Sequence, residues 1–197
     1  MMHCALALVL LLDSSGSVDG RAWQMQVDAH ADAFADDRIA ATMTAQGLSA
    51  VVVVAYDDAP RVLVPWRLVD TPDDAAALAR EIAGVRRPSN GATHTGRAVA
   101  FSLRLLEQAP CGAEREIIDL VTDGPGDDDA RLEDARDEAT ARGVKINVLA
   151  VDTYGARAAD WARAVAVTPG GFVMEADGWQ EVARALRRKI ASEVARR

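Results

Sequence analysis

The sequence is short of cysteine, of net positive charge and of long apolar runs, and each shortage closes off a class of function. Only two cysteines are present, Cys4 and Cys111, and they form no C-x-x-C pair. A zinc ribbon and a dithiol redox motif are therefore excluded. Both fall at the base of expected strands; we read them as buried free thiols, with a disulfide between them as the alternative. Lys and Arg total 22 against 30 Asp and Glu, a formal net charge of -8. A chain of that sign is repelled by nucleic acid and by anionic membrane surfaces. No apolar run reaches the ~20 residues that a membrane-spanning helix needs, so membrane insertion is not expected. The apolar stretch at residues 6–12 follows no Lys or Arg and precedes no small-residue cleavage site. It reads as a strand rather than a secretion leader, which favours the cytoplasm. Missing too are a glycine-rich phosphate loop and a G-x-S-x-G nucleophile elbow.

What is present is a regular alternation of strand and helix. "LALVLLL" reads as a buried strand, and Trp23, Val27, Ala31 and Phe34 recur at helical spacing over about residues 18–36. "LSAVVVVAYDDAPRVLVPWRL" reads as two strands whose short turn permits only antiparallel pairing. Pro65 removes a ladder donor and sends the second of them to a sheet edge. Helices follow over about 72–85, 95–108, 128–142 and 157–166, with strands "EIIDLVT", "VKINVLAV" and "GFVME" between them. A last helix carries Trp179, Val182, Leu186, Ile190 and Val194 as one apolar stripe, and its basic run "RRKIASEVARR" reads as a solvated face. The expectation is an α/β fold: a doubly wound, mostly parallel six-stranded sheet with one antiparallel edge strand and helices on both faces. With half of its 197 residues hydrophobic, the chain suits one domain, residues 1–197.

In such sheets, ligands bind at the carboxyl ends of the strands. Asp13 ends the first strand in "DSSGS", Asp123 closes "EIIDLVT", and "NGATHTG" opens onto the same edge. Asp13, Ser15, Ser17, Thr93 and Asp123 therefore converge from three loops. All five offer oxygen, which suits a hard cation such as Mg²⁺. The bland alternative is an N-cap cluster for the helix beginning near Val18. That accounts for one of the first three residues but not for Thr93 and Asp123. Thr95 reads as a helix cap, and Asp127, Asp128 and Asp129 as favourable charge at the next helix N-terminus.

"DSSGS", "GATHTG" and "VTDG", in this order, resemble the three segments of the metal-ion-dependent adhesion site of von Willebrand factor A domains. More narrowly, "VPW", "CGAEREIID" and "GVKIN" resemble a bacterial subgroup of such domains of unknown function, whose members typically carry a signal peptide. The resemblance covers essentially the whole chain. It implies that Ser15, Ser17 and Thr93 ligate Mg²⁺ directly, with Mn²⁺ or Ca²⁺ as alternatives, and that Asp13 and Asp123 act through water. It implies a protein partner whose exposed Asp or Glu completes the metal shell, with His94 and Tyr154 on the partner-binding rim. Members of the family bind proteins and do not usually catalyse. The competing readings are a Mg²⁺-dependent phosphohydrolase and a scaffold with a structural metal. A phosphohydrolase of this architecture needs a second carboxylate where this chain has Ser15.

Overall fold

The computed structural model describes residues 2–153, 155 and 157–195. Its strands are β1 (His3–Cys4), β2 (Leu6–Asp13), β3 (Ser49–Tyr56), β4 (Arg61–Val69), β5 (Gly112–Ala113), β6 (Glu116–Thr122), β7 (Lys145–Val151) and β8 (Val173–Ala176). In β2 the residues Leu6, Leu8, Leu10 and Leu12 enter one buried cluster, while Ala7, Val9 and Leu11 enter a second. A strand with two apolar faces belongs in the middle of a covered sheet. The sheet order is β4-β3-β2-β6-β7-β8, with β2 between β3 and β6. All its pairings are parallel except β3 with β4. Strand β4 forms the outer edge, and its register slips opposite Val51 to Val53, where Pro65 lies.

Helices α1 (Gly20–Ala35), α2 (Asp37–Ala45), α3 (Pro72–Ala83) and α7 (Val182–Val194) cover one face. Helices α4 (Thr95–Glu107), α5 (Asp129–Arg142) and α6 (Ala158–Trp161), the last running on into a π turn, cover the other. The start of α3 follows local rules: Thr71 and Asp74 form a reciprocal capping box and Pro72 opens the first turn. Helix α5 ends at Gly143 with φ 74°, the left-handed stop that glycine allows. Helix α2 is an addition to the expected elements. Asp36 closes α1 and its carboxylate accepts from Arg38 N at 3.0 Å and Ile39 N at 3.2 Å, so one residue ends one helix and caps the next.

Two expectations are corrected. Cys4 and Cys111 form a disulfide, with Cα atoms 5.8 Å apart. The two-residue ladder of β1 and β5 brings together chain segments 107 residues apart. Nor is the basic run of α7 a solvated face throughout. Arg187 and Arg188 are exposed, but Lys189 and Glu193 are fully buried against β6. Lys189 Nζ lies 2.5 Å from Asp119 Oδ1 and 2.8 Å from Glu193 Oε1. Asn147 donates to the same Glu193 oxygen at 2.9 Å.

Candidate metal centre

From β2 the chain builds outward through β3 and β4, then returns to set β6 on the other side of β2. Strand order therefore reverses between β2 and β6. The space above their carboxyl ends is where open α/β sheets hold ligands. Asp13 is the last residue of β2, and Asp123 directly follows β6. The β2–β6 ladder stops at Leu11 and Leu120, so the two strands diverge just below these carboxylates.

The loop after β2 is shaped by Asp13 itself: Oδ1 accepts from Ser15 N at 2.8 Å, an Asx turn that folds the chain back over its own carboxylate. Ser15 Oγ then lies 3.2 Å from Ser17 Oγ, and Ser17 Oγ donates to Asp123 Oδ1 at 2.7 Å. Asp13, Ser15, Ser17 and Asp123 thus form one continuous polar chain across the crevice. Among the described residues, no group of three or more His, Cys, Asp and Glu side chains is placed to hold a metal. A cation here depends on the hydroxyls.

Thr93 stands beside this chain through its backbone. Its N donates to Asp127 Oδ2 at 2.7 Å, and its carbonyl accepts from Asp127 N at 2.8 Å. Gly16 N donates to Gly91 O at 2.9 Å, tying the same loop to the first. Among the described residues the Thr93 hydroxyl makes no hydrogen bond. A side chain at Gly91 would collide with the Asp58 carboxylate, which accepts from Ala92 N at 3.0 Å. Half-buried His94 sets its Nδ1 3.2 Å from Asp58 O. Tyr154 lies outside the described residues.

Helix α4 is capped otherwise than expected. Thr95 is buried as its first residue, and His94 makes no capping bond. The Asp128 carboxylate reaches across from the start of α5 and accepts from Gly96 N at 2.8 Å and Arg97 N at 2.9 Å. Of the three aspartates assigned to α5, Asp127 thus serves Thr93 and Asp128 serves α4. Asp129 accepts from the Trp161 indole at 3.0 Å, which holds that tryptophan in the core-facing layer.

Three supporting residues escape motif reading. Gln26 of α1 is buried, accepting from Asp13 N at 3.1 Å and donating to Asp13 O at 2.9 Å. It satisfies the backbone that β2 leaves open. The Tyr56 phenol, also buried, lies 2.9 Å from Val121 O and 3.2 Å from Asp13 Oδ2. Arg87 donates to Ser14 O at 3.0 Å and Ser15 O at 2.6 Å. Gln26 had a sequence signal, a polar residue beside the apolar stripe of a helix. Tyr56 and Arg87 had none.

The electrostatics are those of a site short of positive charge. Burial pushes the Asp13 carboxyl from 3.8 up to about 7, and the Asp123 charge adds to this against the hydrogen bonds from Ser15 and Tyr56. Asp123 is also raised by burial, with Ser17 opposing. A divalent cation would supply what both carboxylates lack. The all-oxygen donor set fits a hard ion.

The family model described as "Protein of unknown function (DUF1194)" matches residues 3–197. No curated protein matches the chain. Among solved structures, the chain is similar to a von Willebrand factor type A protein from Catenulispora acidiphila, with TM-score 0.69 and 21% identity over 97% of this chain and 43% of that one. It is similar to proximal thread matrix protein 1 from the mussel byssus with a zinc-occupied MIDAS motif, with TM-score 0.74 and 17% identity over 96% of this chain and 48% of that one. The chain thus spans less than half the length of either. It is also similar to the vWF domain of the type V pili tip protein Mfa5 from Porphyromonas gingivalis, with TM-score 0.64 and 12% identity over 98% and 97% of the two chains. At these identities the likeness establishes the fold. This chain belongs to the DUF1194 family and is built on the von Willebrand factor A fold.

Proposed function

We propose that the protein is a divalent-cation-dependent recognition module. Ser15, Ser17 and Thr93 hold Mg²⁺ directly, with Mn²⁺ and Ca²⁺ as alternative ions, and Asp13 and Asp123 act through bound water. Neutral hydroxyl ligands leave the ion electrophilic, so an exposed Asp or Glu of a protein partner completes its shell. His94 and Tyr154 belong to the rim that partner meets. The observation that carries this reading is the unbroken polar chain from Asp13 to Asp123 at the point where strand order reverses. The mussel structure with zinc in this motif and the pilus-tip domain support a cation and a recognition role. Ser15 standing where a phosphohydrolase needs its second carboxylate supports binding over catalysis. The Cys4–Cys111 disulfide supports a working compartment outside the reducing cytoplasm. Among the described residues no helix is long and apolar enough to cross a membrane.

Calorimetric titration of Mg²⁺ and Mn²⁺ into chelator-treated protein tests the site. One-site binding is expected, lost in Asp123→Ala and weakened at least tenfold in Ser17→Ala. Binding that survives unchanged in both variants would sink the assignment.

A further inference from the structure

We propose that the groove beside Ser17 reads a basic residue of the partner, one to four positions from the acidic residue that meets the ion. This rests on the recognition reading above and specifies its ligand. The groove, about 620 Å³ in volume, is walled by the start of α1, by Asp152 and Thr153 just after β7 and by the turn after β8. Ser17 belongs to both places, since it donates to Asp123 at 2.7 Å and also lines the groove. A partner chain that leaves the ion therefore has this groove as its neighbour, and an extended segment advances about 3.3–3.6 Å per residue along it.

The walls select for a long cation. Asp19 Oδ1 accepts from Ala22 N at 2.7 Å, and Asp152 Oδ1 accepts from Ala158 N at 2.7 Å. Both carboxylates are pinned by these amides. Among the described residues, each keeps its other oxygen without a hydrogen bond and neither stands in a close salt bridge, although the Asp152 charge is felt by Arg163. Trp179 and half-buried Met25 supply the apolar wall. The aliphatic stem of Lys or Arg packs on such a surface while its head reaches carboxylates. Arg21 is the one cation among the described lining residues. It is exposed on a long flexible stem and can swing clear, whereas the two carboxylates are fixed.

The test is a set of fluorescent, end-blocked Gly-Ser peptides with one Asp and with Lys, Arg, Glu, Leu or Ala at each of four positions on either side. Each is titrated with the full chain in Mg²⁺ and in chelator. Lys or Arg at one spacing is expected to bind roughly tenfold tighter than Ala. In the double variant Asp19→Asn, Asp152→Asn, that advantage should fall below about threefold. Asn keeps the amide acceptor, so the fold is retained, and Mg²⁺ binding measured by calorimetry should be unchanged. Preference for Glu or Leu, equal binding of all peptides, no binding by any, or a basic preference unaltered in the double variant overturns the groove's role. Failure of the underlying reading looks different: peptide binding is the same in Mg²⁺ and in chelator, or Mg²⁺ does not bind at all.

Discussion

Tyr56 faces Asp13 across the β2–β3 ladder, and its phenol supports both that carboxylate and the Val121 carbonyl. Removing the hydroxyl leaves a buried acceptor short of a partner, a loss of about 1–3 kcal/mol. It also frees the carboxylate that anchors the loop of Ser15 and Ser17. Groups that orient ligands from behind typically weigh 10–100-fold in metal affinity. Tyr56→Phe is therefore expected to fold, to melt a few degrees lower and to bind Mg²⁺ roughly tenfold more weakly by calorimetry. Wild-type affinity in this variant would show that Asp13 is held well enough by Ser15 N alone.

At the scale of elements, two contacts decide how the helices sit. A Cβ on Gly96 would clash with Leu132 N and lie only 2.8 Å from Arg131 C, both backbone atoms of α5. Helices α4 and α5 approach that closely because Asp128 caps α4 from the start of α5. Gly96→Ala is expected to cost about 1–3 kcal/mol, read as a lower urea midpoint; an unchanged midpoint would mean the helices separate without penalty. The second contact is the buried ionic cluster of α7 on β6. Burial, then the Asp119 charge, pushes the Glu193 carboxyl well above 4.5, with Lys189 opposing. Burial also raises Asp119, but Lys189 holds it below its ordinary value. For Glu193 a raised folded value means that its stabilisation is complete below pH 4.5 and is lost as pH climbs from there through the higher folded value. Glu193→Gln copies the protonated form, so its melting temperature should fall less with rising pH than the wild type's. Parallel curves for the two proteins would show that Glu193 is not protonated in the fold.

For the whole molecule, the disulfide joins the start of the chain to the loop preceding β6 across 107 residues. Closing a loop of that length restrains the unfolded chain, and loss of such a bond typically costs about 2–4 kcal/mol. The double variant Cys4→Ala, Cys111→Ala should therefore melt roughly 5–15 °C lower. Its Mg²⁺ affinity should stay at the wild-type value, because the bridge lies by β1 and β5 rather than at the carboxyl ends of the strands. An unchanged melting point would mean that the short ladder alone holds this corner.

The local rules were legible in the sequence. The seven residues before Asp13 are apolar on both strand faces, which only a central strand tolerates. Thr71, Pro72 and Asp74 announce α3, Gly143 ends α5, and Pro65 marks the edge. These signals act over a few residues, where backbone geometry and periodicity suffice. The convergence of the DSSGS and VTDG segments was also legible, because strand ends in an alternating fold share an edge; the structure joins Ser17 to Asp123 directly. What only the tertiary structure decided involves partners far apart in the chain. Cys4 meets Cys111, Lys189 meets Asp119, Asp128 caps a helix other than its own, and Tyr56 and Arg87 hold a loop they do not belong to. No periodicity encodes such pairs. The surroundings of each side chain exist only once packing has brought the elements together, and burial then gives a polar contact its weight.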